Sequence, residues 1–117
     1  MDMVFLVEAS DVMLNKEWAI VTAWVKKIVD TAKKDPTNDI ASVVVVIRFR
    51  KSFFTTTNLL NERIAQMKLA LQHEAVLQHV VSDTYKALDY ANTAVYDNLR
   101  HGSKKILVMV TDGMDRS

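Results

Sequence analysis

The sequence predicts an α/β domain in which a mostly parallel sheet carries helices on both faces. Three observations carry that expectation. Apolar runs of strand length at residues 3–7, 43–47 and 105–110 are close to unbroken, as in strands covered on both faces. Amphipathic helical stretches separate them. Polar segments with carboxylates and hydroxyls, 8–12 and 111–115, follow the first and last strands, and open α/β sheets bind ligands at the carboxyl ends of strands.

Each element has its own warrant. Residues 3–7 form the first strand, and residues 8–12 end it with polar and small side chains. Trp18, Val21, Val25, Ile28, Val29 and Ala32 then recur at the three- and four-residue spacing of an amphipathic helix. Lys26, Lys27, Lys33 and Lys34 lie off that stripe. Asp35 and Pro36 stop the helix, because proline disfavours helical backbone in the residue before it. Within residues 42–49 the consecutive valines favour strand through their stiff β-branched side chains. Residues 51–57 read as a more polar strand nearer an edge. Asn58 or Asn61 caps a helix running through Ile64, Met67, Ala70 and Leu71. Asp83 or Thr84 caps another, with Ala87, Leu88, Ala91, Val95 and Leu99 on its buried side and His101-Gly102 as its stop. Residues 105–110 close the series, so the expected order is β-α-β-β-α-α-β.

Composition narrows the function classes. The 117 residues make one domain, and a hydrophobic content of 50% is ample for a core. Fifteen basic against fourteen acidic residues give a net charge of +1, which argues against a nucleic-acid partner and against a polybasic membrane-surface protein. The absence of cysteine excludes a disulfide scaffold, a thiolate zinc site and a thiol nucleophile. No apolar run approaches the roughly 20 residues of a membrane span, so no membrane insertion is expected. The N-terminus has no basic segment of the signal-peptide kind. His73, His79 and His101 lack metal-ligand spacing. Neither a nucleophile elbow nor a glycine-rich phosphate loop is present. A binding module is therefore expected rather than an enzyme. Trp18 belongs to the apolar stripe of its helix, whereas Trp24 falls on a different side and is expected to be partly exposed.

Three segments then resemble one family. Val4-Phe5-Leu6-Val7-Glu8-Ala9-Ser10 resembles the first strand and metal loop of von Willebrand factor A-type domains, in which a hydrophobic strand leads into D-x-S-x-S. Ile106-Leu107-Val108-Met109-Val110-Thr111-Asp112-Gly113 looks like the family's fourth strand with its T-D-G ending. Ser82-Asp83-Thr84-Tyr85-Lys86-Ala87-Leu88 is similar to its T-x-T-G-x-A-L stretch, and residues 43–49 stand in the place of its second strand. The resemblance spans residues 1–117. It implies a three-layer Rossmann-like fold, mostly parallel, with one antiparallel edge strand and helices on both faces. Since Ser117 follows soon after Asp112, it also implies an incomplete domain without the last strand–helix units. The strand from Lys105 would then be an edge open to self-association.

The family holds a divalent cation, usually Mg2+, at an adhesion site that a partner's carboxylate completes. Carried over, the resemblance makes Glu8, Ser10, Ser82 and Asp112 the metal ligands. Asp11, Asp83, Thr84 and Gly113 become partner-binding neighbours. Two positions depart from the pattern. Glu8 is a methylene longer than the family's aspartate, and Val12 offers no oxygen where the family has its second serine. The expected Mg2+ site is accordingly weakened or lost, with Ca2+ or Mn2+ as alternatives, calcium being the looser in coordination. On the other reading of the same residues, Glu8 and Asp112 bond only local backbone and hydroxyls, while Asp11 and Asp83 cap helices. The implied function is cell adhesion or extracellular-matrix binding by a secreted or extracellular module. Its ligand would be a protein, collagen or another matrix component, held at the carboxyl ends of the strands. An intracellular scaffold of the same fold and a self-associating matrix component without metal are the alternatives.

Overall fold

The computed structural model describes residues 1–10, 13–37, 39–40, 42–49, 57–72, 75–81, 83–97 and 105–111. Four strands alternate with three helices: β1 (Asp2–Ala9), α1 (Trp18–Lys33), β2 (Ser42–Phe49), α2 (Thr57–Leu71), β3 (Ala75–Val81), α3 (Thr84–Asp97) and β4 (Lys105–Val110). A π-helical turn, Met13–Glu17, leads into α1. The sheet order is β3-β2-β1-β4, and each pairing is parallel.

The two-residue period of the strands sorts the core into two layers. Met3, Phe5, Val7 and Ala9 of β1 join Val43, Val45, Ile47 and Phe49 of β2 on one side. They pack there against Trp18, Val21, Val25 and Val29 of α1 and Leu60, Met67 and Leu71 of α2. The alternate residues Val4, Leu6, Val44 and Val46 face the other way and meet Val81 with Ala87 and Ala91 of α3. Helices thus cover both faces, as the sequence predicts. The α1 stripe is the predicted one: Trp18 is 2% exposed and Trp24 61%. Trp18 also donates its indole N–H to the Arg63 carbonyl at 3.0 Å, while Arg63 Nε donates to the Leu14 carbonyl at 2.9 Å, which ties the start of α1 to α2.

Two expectations concern the sheet edge. The antiparallel edge strand is not found among the described strands, because α2 carries the chain back to the starting end of the sheet and β3 enters parallel to β2. The polar strand expected at 51–57 lies, for residues 51–56, outside the described residues, while Thr57 opens α2. The strand that does follow, β3, has no counterpart in the sequence reading. Its register passes from Val45↔Leu77 to Val46↔His79, so Gln78 is an additional residue in the ladder. Such a bulge breaks the two-residue period by which a strand is recognised.

The topology positions the functional end. From β1 the chain steps outward to β2 and β3, then returns to β4 on the far side of β1. α1 and α2 lie on one face and α3 on the other. The direction of winding reverses between β1 and β4, and it is outside the carboxyl ends of two such strands that an open α/β sheet has its binding crevice.

Candidate functional site

Three side chains meet at that end, from β1, from β2 and from the residue that follows β4. Glu8 continues the Val4–Leu6 row of β1, on the α3 side of the sheet. In the β1–β2 register it stands opposite Arg48, and in the β1–β4 register Val7 pairs with Val110, which brings Thr111 level with Glu8. The contacts follow from that register. Thr111 Oγ1 donates to Glu8 Oε2 at 3.1 Å, and Arg48 Nη1 lies 4.0 Å from the same oxygen. Both partners of the ion pair are largely withdrawn from water, with side chains 17% (Arg48) and 18% (Glu8) exposed. Arg48 Nε is buried and has no hydrogen-bond partner among the described residues.

Ser10 does a different job. Its hydroxyl accepts the Met13 N–H at 3.2 Å, and its carbonyl accepts the Leu14 N–H at 2.9 Å. These are the bonds of a helix N-cap, which fill donors that the first turn leaves open. Asp83 acts in the same way for α3: Oδ1 accepts the Tyr85 N–H at 2.8 Å and its carbonyl accepts the Ala87 N–H at 3.0 Å. Thr84 is the first residue of α3. Asp11, Ser82, Asp112 and Gly113 lie outside the described residues. The structure therefore brings Glu8 and Ser10 to one strand end and places Asp83 as a cap at the start of α3. It adds Arg48 and Thr111, which the sequence reading does not select. A signal for Arg48 does exist, since it is the single charge in the apolar stretch SVVVVIRF.

The sequence model of the von Willebrand factor type A domain matches residues 2–117. The chain belongs to that family. No curated protein and no solved structure matches it. In this von Willebrand factor type A domain the described donors do not fit an octahedral dication. Among the described residues no three His, Cys, Asp or Glu side chains gather into a metal-holding group. Glu8 Oε2 is engaged by Thr111 and Arg48, and the Ser10 hydroxyl is spent on a cap. A dication on Glu8 would also face the guanidinium, and like charges about 4 Å apart near a protein surface repel by roughly 4 kcal/mol per charge pair.

Proposed function

We propose that this domain binds a partner protein, without catalysis, through the face formed by the carboxyl ends of β1, β2 and β4. One observation carries the reading: Glu8, Arg48 and Thr111 form a polar cluster across the point where the sheet reverses its winding. Family membership supports it, since domains of this type act generally as protein-interaction and adhesion modules. The finer reading is an extracellular module for a matrix protein, with collagen as the first candidate. On this reading the family resemblance assigns Glu8, Ser10, Ser82 and Asp112 to the contact, with Asp11, Asp83, Thr84 and Gly113 as its neighbours.

Solid-phase binding of the full chain to fibrillar collagen and a panel of other matrix proteins tests this. Saturable binding is expected. Thr111→Val, which keeps the shape and removes the hydroxyl, is expected to weaken it by about tenfold, the scale of a lost charge-assisted hydrogen bond. Binding that ignores both Thr111→Val and Asp112→Ala would move the interface away from this face.

A second reading rests on β4. Leu107 and Met109 lie on the α3 side of the sheet yet are 48% and 49% exposed. Leu107 and Lys105 line a groove of about 550 Å3 with Tyr85, Leu88, Asp89 and Asn92 of α3. On this reading the groove meets a second copy of the chain. Sedimentation across a concentration series is then expected to show association that Leu107→Lys abolishes. A monomer at every concentration sinks it.

A further inference from the structure

Arg48 combines three properties that are seldom found together. It stands at the carboxyl end of the sheet beside Glu8, its side chain is largely buried, and its Nε has no hydrogen-bond partner among the described residues. The 4.0 Å separation from Glu8 is charge pairing beyond hydrogen-bond range, and Nε has no partner among the described residues. A guanidinium stays protonated at any physiological pH and presents its N–H groups as a planar fork that fits both oxygens of a carboxylate. Largely withdrawn from water, and with Nε unpartnered among the described residues, it gains from any acceptor that reaches its Nη groups.

The Glu8 carboxylate does not fill this role. One of its oxygens is shared between Thr111 and the guanidinium, and that oxygen sits too far from Nη1 to accept a proton from it. The described donors around it do not fit a dication. The face keeps a fixed positive centre nevertheless, and it is organic.

We propose that Arg48 receives a carboxylate of the partner protein on its guanidinium fork, and that binding at this face is therefore independent of metal. The inference rests on the reading that the carboxyl-end face binds a protein. It adds the chemistry of the contact, an exposed Asp or Glu on the partner, and makes Glu8 an internal competitor for the same cation. In a dication mechanism Glu8 would be a ligand, so the two mechanisms give Glu8 opposite signs.

The test titrates the isotope-labelled full chain with a blocked Gly-Glu-Gly peptide, and separately with Gly-Gln-Gly, in EDTA and then in Mg2+. The Arg48 Nε–Hε resonance and the Glu8 and Thr111 amides are followed by NMR. A saturable shift with the glutamate peptide in EDTA is expected, and none with the glutamine peptide. Arg48→Lys keeps the charge and loses the fork, and is expected to weaken binding about tenfold, as read from the amides. Glu8→Gln is expected to tighten it several-fold. A response that appears only with Mg2+, or that Glu8→Gln weakens, overturns the inference and leaves partner binding at this face standing. No response of either peptide under either condition also overturns it, and the collagen and matrix-protein assay with Thr111→Val then decides separately whether the face binds protein.

Discussion

The Ser10 hydroxyl has one strong use in this structure, accepting the Met13 N–H at 3.2 Å beside the bond from the Leu14 N–H to its carbonyl. Ser10→Ala is expected to lower the unfolding free energy by about 1 kcal/mol, the usual cost of a lost cap. Urea denaturation measures it, and the loss is expected to be equal in EDTA and in Mg2+. A loss confined to Mg2+ would return Ser10 to the role of a metal ligand. The same cap logic applies to Asp83, whose Oδ1 holds the Tyr85 N–H at 2.8 Å. Glu8, Ser10 and Asp83 were legible in the sequence because each stands at the edge of a recognisable element, where a polar side chain is conspicuous. Arg48 and Thr111 were not selected, because they approach Glu8 only through strand register. Register is a property of paired strands that no single stretch of sequence displays. A charged pair on the surface is simpler. Lys26 donates to Asp30 at 2.7 Å one turn along α1, and that hydrogen bond, with the positive charges of Lys26, Lys33 and Lys34, holds the Asp30 carboxyl below its ordinary value. The small stabilisation this carries is present above the carboxyl's unfolded-state value and disappears as pH falls through the lowered one. Lys26→Met is expected to raise the Asp30 midpoint in an NMR titration.

Among the elements, α2 gives the sharpest contrast between neighbouring side chains. Met67 is fully buried against α1 and the sheet, while Leu69, two residues on, is 76% exposed. Met67→Ala is expected to cost about 2–5 kcal/mol in thermal or urea unfolding, and Leu69→Ala well under 1 kcal/mol. Equal losses would mean that α2 is rotated about its axis relative to this packing. The helix ends at Leu71, and Gln72 follows with φ 43°, the left-handed region in which a Cβ is unfavourable. Gln72→Gly is therefore expected to stabilise the domain by about 0.5–1 kcal/mol, whereas the same change in a helix interior would destabilise it. The helices and the three apolar strands were readable because their periods are intact. β3 was hidden by the bulge at Gln78, and without it the expected order of strands and helices differs from the observed one. A single residue of irregular register is enough to remove a strand from view while leaving its backbone pairing in place.

At the scale of the molecule, the decisive question is whether the charge balance at the carboxyl ends is complete without an added ion. Glu8 faces Arg48 across neighbouring parallel strands, so the pair forms as a consequence of the fold and requires no metal. A cation that binds the folded chain alone must stabilise it by RT ln(1 + [L]/Kd), about 2.7 kcal/mol when its concentration is a hundred times Kd. For a domain of this size each kcal/mol moves the melting midpoint by roughly 4 °C, so a functioning dication site would raise the midpoint by about 10 °C at that concentration. The expected outcome is a cooperative melt whose midpoint is the same in EDTA and in millimolar Mg2+, Mn2+ or Ca2+ to within about a degree. Glu8→Gln supplies the control. With the carboxylate gone and Arg48 uncompensated, the midpoint is expected to fall by the same amount in every cation. A rise with any one of these ions that Asp112→Ala removes would show the donors rearranging around a dication, with Arg48 displaced from Glu8. The partner's carboxylate would then be bound through metal rather than through the guanidinium.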